Sequence, residues 1–389
     1  MKDGADIARW RSTVLRLLSA CACLAVVHQS ATGQVSIESR GYLKNLAIGT
    51  SSVLSGESQF LDITRFRWQQ MLDVGSNLHA EVWLDTEMLA GNFLESEEYT
   101  ISRLTERRTW LDLDWRVASG SRFTLDQRLF RAFATYYAGK AQITVGRQRI
   151  AWGTGFAWNP TDLFNPFNPA AIELDEKSGI DAVHLSLATG DFSHLEAGYA
   201  PASDPAASSA AARLVSHKGE YDFSVMGGYF RDDWVVGGDF AGYVGDAGLK
   251  GEAALTFPQD GKAYVRLTVT VDRSFRGDYY AFVEYYLNGQ GTTDKNKYDF
   301  RQLLTGSVFN VARDYAAVSV SKAVTPLFAA SVYALVNIDD QSALIGPSMT
   351  YSLRENMELG GAVYLFAGKG DTEFGQQKNA YFGYLQFYF

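Results

Sequence analysis

The chain has 389 residues, of which 47% are hydrophobic and 20% charged, and its formal net charge is −9. This acidic balance argues against nucleic-acid binding, which selects basic surfaces. An aromatic content of 14% argues against intrinsic disorder. The only cysteines, Cys21 and Cys23, lie near the N-terminus, which excludes a disulfide scaffold or a cysteine zinc site in the rest of the chain.

Residues 1–33 have the pattern of an export signal. A basic stretch is followed by a short apolar core at residues 17–27 and by the small residues Ala31-Thr32-Gly33. The core of about 11 residues is too short to span the ~30 Å of bilayer hydrocarbon as a helix. We therefore predict a signal peptide at residues 1–33 and a mature chain at residues 34–389.

A competing reading of the N-terminus is a lipoprotein signal. Leu18-Ser19-Ala20-Cys21 resembles a lipobox. The apolar run before Cys21 is broken by Arg16 and continues past the cysteine. This arrangement favours cleavage after Gly33 over lipid attachment at Cys21.

After residue 33 the chain alternates apolar and polar side chains in segments of about ten residues. No later window holds 18 uncharged apolar residues in a row. The alternation is clearest at residues 108–117 and recurs at residues 78–85, 249–257 and 263–272. A period of two separates two faces completely on a strand, whereas a helix would scatter them. The sequence therefore predicts an all-β chain.

Three features favour a transmembrane barrel over a soluble sandwich. The polar faces carry charges of both signs in strand after strand, as a hydrated lumen requires. The strands span ~10–13 residues, whereas strands of soluble proteins centre near 5–6. Tyrosine pairs, which suit membrane interfaces, lie near predicted strand ends at Tyr136-Tyr137, Tyr279-Tyr280 and Tyr285-Tyr286.

The C-terminal residues 379–389 are the most specific feature. One face carries Tyr381, Gly383, Leu385, Phe387 and Phe389, and the chain ends on this aromatic residue. The pattern resembles the C-terminal signature of Gram-negative outer-membrane β-barrels. The resemblance implies a cell outer-membrane location, contact with the lipid bilayer and recognition by the β-barrel assembly machinery. Backbone groups in hydrocarbon must be paired within the protein, so such strands close into a barrel.

The number of strands is harder to predict from the sequence. About nineteen candidate strands occur after residue 34, but bacterial single-chain barrels have an even number. Assignments made forward from the N-terminus, with a short turn at residues 118–121, disagree with those made backward from the C-terminus. The weakest segments are residues 211–217 and 235–242. We predict a transmembrane antiparallel β-barrel of 18 strands, with 16 to 20 open.

One connection, within residues 145–179, differs from an ordinary loop. It holds three Asn-Pro pairs, at Pro160, Pro166 and Pro169, and several aromatic side chains. Asn-Pro pairs favour turns and remove backbone donors, which predicts a rigid folded loop. An apolar loop is best placed inside the barrel. The residues expected to build it are Trp152, Trp158, Asn159, Pro160, Asp162, Asn165 and Pro166.

The run Gly146-Arg147-Gln148, Trp152-Gly153 and Asn159-Pro160-Thr161-Asp162 is similar to a motif of porin-like outer-membrane families. That resemblance covers about 25 residues. Porins commonly fold one loop inward to narrow the pore. The resemblance therefore implies that residues 152–177 form a pore-constricting inward loop.

Arginines are concentrated in the first part of the predicted barrel. The predicted basic wall of the constriction consists of Arg65, Arg67, Arg108, Arg116, Arg122 and Arg128. The predicted acidic loop facing it carries Asp162, Glu173, Asp175 and Glu176. Opposed charges would create a transverse field that orients polar solutes. Alternatively, the arginines pair with Asp112, Asp114 and Asp126 on neighbouring strands and fill the lumen.

The side of the barrel wall that Arg147 and Arg149 face depends on a local irregularity of the strand. They share a strand face with Ile143 and Val145, which are apolar. Both arginines would reach the lumen only if Gly146 sat at a β-bulge.

Catalytic and metal-binding signals are weak. The histidines after residue 33 are His79, His184, His194 and His217, and none lies in a recognised hydrolase or metalloprotease motif. His79 beside Glu81 fits a solvated polar face. Asp162, with its neighbouring asparagines, could supply oxygen ligands to Ca²⁺, but turn capping explains the same residues more simply. We expect no cofactor and no metal.

The sequence thus predicts a porin-like channel for passive diffusion of small hydrophilic solutes or ions. A barrel of 18 strands is wide enough for an aqueous channel. The alternatives are an outer-membrane hydrolase and a plugged structural or partner-binding barrel. Relatives of this kind are commonly homotrimers, but no strand face stands out as a protein contact, which leaves a homotrimer open.

Overall fold

The computed structural model describes residues 35–105, 109–166, 168–172, 176, 179–304 and 308–389. The predicted signal peptide at residues 1–33 lies outside these ranges, as do Arg108, Glu173 and Asp175. Two helices, α1 (Glu97–Thr105) and α2 (Phe300–Leu304), lie in loops between strands. No helix in the described ranges has both the length and the hydropathy to cross a membrane.

Strands dominate this part of the chain. They are β1 (Val35–Ser51), β2 (Ser58–Val74), β3 (Leu78–Ala90), β4 (Asp114–Gly120), β5 (Phe123–Ala138), β6 (Ala141–Gln148), β7 (Ile180–Ala188), β8 (His194–Ala200), β9 (Ser209–Lys218), β10 (Tyr221–Phe230), β11 (Asp233–Val244), β12 (Ala247–Phe257), β13 (Tyr264–Phe275), β14 (Tyr279–Asn288), β15 (Asp314–Thr325), β16 (Phe328–Asn337), β17 (Ser342–Arg354), β18 (Met357–Ala367) and β19 (Ala380–Tyr388).

Eighteen of these strands form one closed antiparallel barrel. Each pairs with its neighbours in chain order, and β1 pairs with both β2 and β19. Strand β3 pairs directly with β5 along its whole length, which leaves β4 outside the ring. The predicted antiparallel barrel of 18 strands is therefore confirmed.

The clearest alternating segment was predicted at residues 108–117; its described part, residues 109–117, is not a strand of the ring, so that prediction was wrong. Strand β4 covers only residues 114–120 and pairs with residues 123–128 of β5. Strand β6 pairs with residues 132–138 of β5. One edge of β5 is occupied by β3. The other edge is shared by β4 and β6, which follow one another along it.

This arrangement explains the surplus strand in the sequence. The turn at residues 118–121 joins β4 to β5 within a long loop instead of linking two ring strands. Residues 211–217 and 235–242, which we considered weakest, belong to the ring strands β9 and β11.

The two ends of the barrel differ in loop length. At the end that holds Phe389, strands are joined by short turns, three of which are two-residue turns that begin with Gly139, Gly219 or Gly245. These glycines have φ of 61°, 68° and 61°, the conformation that a type II′ hairpin needs at its first position. Long connections, at residues 91–122, 149–179, 289–313 and 368–379, lie at the opposite end.

The predicted alternation of faces is confirmed. Outward side chains such as Val225 and Val283 are 62% and 55% exposed, whereas the inward Thr270 and Glu284 are fully buried. The outside of the barrel is therefore a continuous apolar surface, and the polar side chains face the enclosed space, which we call the lumen.

The barrel closes where the C-terminus meets β1. Gly41 and Phe389 exchange two backbone hydrogen bonds of 2.9 and 3.0 Å, and the Phe389 ring stacks on Phe66 at 5.6 Å. A Cβ on Gly41 would lie 2.2 Å from the Arg67 carbonyl oxygen, so only glycine fits there. Tyr381, Leu385, Phe387 and Phe389 are all exposed on the outer face.

A buried ion pair joins four segments where β6 ends. Gly146 has φ 121°, and the following Arg147 is buried, although Ile143 and Val145 on its strand face are exposed. The Arg147 guanidinium donates to Asp181 at 3.0 and 3.1 Å, to the Leu129 carbonyl at 3.1 Å and to the Leu111 carbonyl at 2.6 Å. Arg147 thus anchors residues 109–111 to the wall.

We expect Arg147→Ala to lower the free energy of unfolding by about 3–5 kcal/mol, because it leaves Asp181 buried without its cation. The measurement is urea unfolding of the full chain in detergent. The matched control is Arg122→Ala, which breaks the exposed 2.8 Å pair with Glu95 and should cost only ~0–1 kcal/mol. Equal losses in the two variants would contradict this role.

Candidate functional site

Residues 149–172 form a folded connection that we call the Asn-Pro segment. Its side chains pack on inward residues of the strands from β8 to β18. Ala157 and Trp158 belong to one buried apolar cluster with residues of β14 to β18. Ile150, Trp152, Leu163 and Phe164 belong to a second cluster with residues of β7 and β9 to β12.

Glu252 on β12 binds one end of the segment. Its carboxylate accepts hydrogen bonds from the backbone N–H of Thr154 (2.5 Å), Gly155 (2.6 Å) and Thr161 (3.2 Å), and from the Thr161 hydroxyl (2.9 Å). Gly153 has φ 93°, and a Cβ there would lie 2.7 Å from the carboxylate. The two glycines of Gly153-Thr154-Gly155 therefore allow this close approach.

Glu284 on β14 binds the next turn in the same way. It accepts hydrogen bonds from the backbone N–H of Phe156 (2.7 Å), Ala157 (3.1 Å) and Trp158 (2.8 Å). The Thr270 hydroxyl donates a fourth, at 2.7 Å. Hydrogen bonds to an ionised acceptor are stronger than neutral ones, and a buried charge needs several of them. The two glutamates together therefore fix residues 154–161 against the wall.

Aromatic rings complete the anchoring of the segment. Trp158 stacks on Tyr286 at 5.0 Å, and its indole N–H donates to Asn310 Oδ1 at 2.9 Å. Phe156 stacks on Phe282 at 4.7 Å. These contacts place both rings against β14.

The remaining predicted loop residues support the segment internally. The Asn159 carbonyl accepts the Asp162 N–H at 3.1 Å, which closes a turn around Pro160. Asp162 Oδ1 accepts the Trp152 N–H at 3.4 Å, and Asn165 Oδ1 accepts the Ile150 N–H at 3.2 Å. These oxygens serve backbone donors, and no group of metal-ligating side chains occurs in the described part of the chain.

A large cavity lies on the opposite side of the lumen, against β1 to β5 and β19, and it also includes Thr350 of β17 and Glu358 of β18. Its volume is about 1660 Å³. Glu176, which follows the Asn-Pro segment in the chain, lines this cavity, and helix α1 contributes Tyr99, Ser102 and Arg103. The segment thus lies against inward residues of strands from β7 to β18 and leaves an eccentric open space against β1 to β5 and β19.

Four of the predicted constriction arginines line this cavity and pair with carboxylates on the wall or on β4. The pairs are Arg65–Glu87 (2.8 Å), Arg67–Asp85 (2.6 Å), Arg116–Asp126 (2.7 Å) and Arg128–Asp114 (3.1 Å). Arg67 also contacts Glu176, so one ion pair crosses from the wall to the connection. Its guanidinium lies 3.9 Å from the centre of the Phe130 ring.

Other predicted constriction residues lie elsewhere. Arg122 pairs with Glu95 at the long-loop end of the barrel. Asp162 is 2% exposed and is enclosed within the Asn-Pro segment. Arg108, Glu173 and Asp175 lie outside the described residues.

At the long-loop end of the barrel, Glu373 connects several loops through hydrogen bonds. This buried carboxylate, in the loop between β18 and β19, accepts hydrogen bonds from the Tyr315 hydroxyl (2.6 Å), Asn337 Nδ2 (2.7 Å) and the Val311 N–H (3.4 Å). The Glu373 N–H donates to Asp340 at 2.7 Å. Burial raises the pKa of Glu373 to about 7. The loops at residues 289–313, 338–341 and 368–379 therefore form one package over the lumen.

Glu252 and Glu284 were not among the predicted site residues. Each is a single carboxylate on the inward, polar face of its strand. A polar residue at such a position is also expected where a strand faces a hydrated lumen, so the pattern does not mark it as a loop anchor. The usable signal was the pair of glycines around Thr154, because adjacent exposed N–H groups in a Gly-rich turn form a site for an anionic group.

Comparison with known proteins supports the fold only. No family model matches the chain, and no curated protein matches it. Solved structures do match. The outer membrane protein OprD from Pseudomonas aeruginosa is 9% identical, with a TM-score of 0.58 over 92% of this chain and 95% of that one.

Two further structures give the same result. Acinetobacter baumannii OccAB4 is 10% identical, with a TM-score of 0.57 over 92% of this chain and 100% of that one. Pseudomonas aeruginosa OccK11 (OpdR) is 11% identical, with a TM-score of 0.56 over 90% of this chain and 95% of that one. The likeness is one of fold.

We expect Glu284→Ala to release the Asn-Pro segment. The backbone amides of residues 156–158 lose their acceptor, and hydrogen exchange there should accelerate at least tenfold, which corresponds to about 1.4 kcal/mol of lost protection. The control is Glu358→Ala, which removes a carboxylate from the large cavity that accepts the Tyr384 hydroxyl at 2.6 Å. Unchanged exchange at residues 156–158 in Glu284→Ala would contradict the anchoring role.

We expect the loop package to weaken as the pH rises. The pKa of Glu373 is above its ordinary value of 4.5, so its contribution is fully present below pH 4.5 and is lost as the pH rises through about 7. Hydrogen exchange of residues 368–379, corrected for the intrinsic pH dependence, should therefore show less protection at pH 8 than at pH 5. In Glu373→Gln this difference should disappear, and its persistence would show that another group controls the loops.

Proposed function

We propose that the chain is an outer-membrane channel through which small hydrophilic solutes or ions diffuse passively. The observation that carries the proposal is the cavity of about 1660 Å³ inside a closed barrel, lined by charged side chains of both signs. Barrels of 16–18 strands leave an aqueous channel.

The outer surface supports insertion in a lipid bilayer. Large apolar side chains are exposed around the barrel, for example Val225, Trp234, Val283, Leu359 and Tyr381. Soluble monomers rarely expose continuous apolar areas above a few hundred Å². We infer export by residues 1–33 and insertion by the β-barrel assembly machinery, which would recognise Tyr381, Leu385, Phe387 and Phe389.

Residues 152–177, which include most of the Asn-Pro segment, would constrict the passage. The Asn-Pro segment is fixed against the wall, and Glu176, which follows it in the chain, contacts Arg67 across the remaining space. Solutes would therefore pass between this connection and the wall formed by β1, β2, β3, β5 and β19.

The charges of the passage favour weak ion selectivity. The cavity is lined by the cations Arg40, Lys44, Arg65, Arg67, Arg103, Arg116 and Arg128 and by the anions Asp85, Glu87, Asp114, Asp126, Glu176 and Glu358. These numbers nearly balance, and four pairs lie within 3.1 Å. Paired charges orient polar solutes and repel apolar ones without a strong preference for either ion sign.

A passive channel also fits the surroundings of His79 better than a hydrolase does. Its two ring nitrogens contact Asp73 at 2.7 Å and Glu81 at 2.9 Å. With both nitrogens occupied by carboxylates, neither faces a hydroxyl that it could activate.

Single-channel recording in a planar bilayer tests the proposal. We expect stable conductance steps with a reversal potential close to zero in a KCl gradient. Deleting residues 160–169 should at least double the step, because the constriction is removed. The control is deletion of residues 259–262, in the exposed loop between β12 and β13, which should leave the step unchanged. No conductance from wild-type protein, or no enlargement in the first deletion, would contradict the proposal. Steps that occur in threes would indicate a homotrimer.

A further inference from the structure

A second cavity, of about 300 Å³, lies behind the Asn-Pro segment. It lies between the segment, the long-loop ends of β10 to β14 and residues 308–310, and its lining shares no residue with that of the large cavity. It is therefore not part of the proposed passage. A volume equal to about ten water molecules holds one small ring compound.

Two polar atoms in the lining have no hydrogen-bond partner within the described ranges. They are Oγ1 of Thr256 on β12 and Nε of Arg266 on β13. Thr256 is only 1% exposed. Thr256 lies opposite Tyr264, and Arg266 lies opposite Ala254. The two are thus diagonal neighbours on the inward face, about 7–8 Å apart. Buried polar groups in native proteins are nearly always paired, so these two atoms are available to hydrogen-bond to an occupant of the cavity.

The rest of the lining combines apolar rings with amides. Phe230, Trp158 and Tyr264 contribute aromatic surface, and the Arg266 guanidinium lies 5.8 Å from the centre of the Tyr264 ring. The amides are those of Asn159, Asn288, Gln290 and Asn310. Ligand sites in proteins have this composition, a mostly apolar cavity with a few directed polar groups.

The polar groups distinguish between classes of occupant. Thr256 can both donate and accept a hydrogen bond, whereas the Asn288 amide already donates to the Asn310 and Ala312 carbonyls. The charged side chains of the lining have both signs, Arg231 and Arg266 beside Asp233, so they do not give a field of one sign that would select an anion. Hydroxyl groups also donate and accept, whereas an anion only accepts. Aromatic rings suit the apolar faces of a hydroxylated ring. The lining therefore matches a neutral polyhydroxylated ring better than an anion.

We propose that this cavity binds one neutral sugar ring at the long-loop end of the barrel. Thr256 Oγ1 and Arg266 Nε hydrogen-bond to its hydroxyls, and Tyr264 and Trp158 contact its apolar faces. The site is separate from the large cavity and does not require that the channel be open.

Calorimetric titration of the full chain in detergent tests the site. The probes are D-glucose, D-galactose and D-mannose, with D-glucuronate as the anionic counterpart. We expect saturable binding of at least one hexose, weakened at least tenfold by Thr256→Val and by Arg266→Met. The control is Thr124→Val on β5, outside this cavity, which removes another buried hydroxyl that has no hydrogen-bond partner among the described residues. It should leave hexose binding unchanged.

A loss of hexose binding in Thr256→Val would not be caused by misfolding. The Thr256 hydroxyl makes no hydrogen bond to any residue that the structure describes, so its replacement by an isosteric methyl group should leave the urea midpoint of unfolding at the wild-type value. Three results would overturn the proposal: no binding of any hexose, binding of glucuronate without binding of a hexose, and equal effects of Thr256→Val and Thr124→Val. Conductance is measured separately, so a failure of the channel proposal would leave these outcomes readable.

Discussion

The hydrogen bonds from the backbone of residues 154–161 to Glu252 and Glu284 determine where the open space of this barrel lies. An 18-stranded ring encloses more volume than its own side chains fill. By holding the Asn-Pro segment against β8 to β18, the two carboxylates divide that volume into a large cavity of about 1660 Å³ on one side and a small one of about 300 Å³ behind the segment. Both candidate sites follow from this division.

The anchoring also explains the unusual composition of the segment. A connection that folds into the lumen must find partners for its backbone N–H groups without the help of a sheet. Proline removes some of these donors, and the two glutamates accept most of the rest between residues 154 and 161. Glycine at positions 153 and 155 lets the chain approach the carboxylate of Glu252. Apolar side chains of the segment then fill the space against the wall.

Much of the fold could be predicted from the sequence because its determinants are local. Alternation with a period of two reports which face of a strand meets apolar surroundings, and it correctly separated Val269 from Thr268 and Thr270. The aromatic C-terminal strand was predicted correctly and closes the ring against Gly41. Strand β4 was the exception, since alternation cannot tell a strand of the ring from one that extends the same edge of β5.

The site could be predicted only in part, because its contacts join residues distant in the chain. The sequence indicated that Asn159, Pro160 and Asn165 build a folded connection and that arginines line the lumen. It could not choose between arginines that face an acidic loop and arginines that pair along the wall. The structure contains both arrangements, with Arg67 bound to Asp85 and to Glu176. Glu252 and Glu284 lie 91–98 and 126–128 residues from the amides they bind, and no local sequence pattern can reveal a contact over that separation.

Thiol labelling measures the division of the lumen most directly, since the chain has no cysteine after residue 23. Glu87→Cys places a thiol in the large cavity, and Ala254→Cys places one on a fully buried inward position behind the segment. We predict that a charged, water-soluble maleimide modifies the first at least a hundredfold faster than the second. Equal rates of modification would show that water fills the lumen on both sides, and would contradict the account.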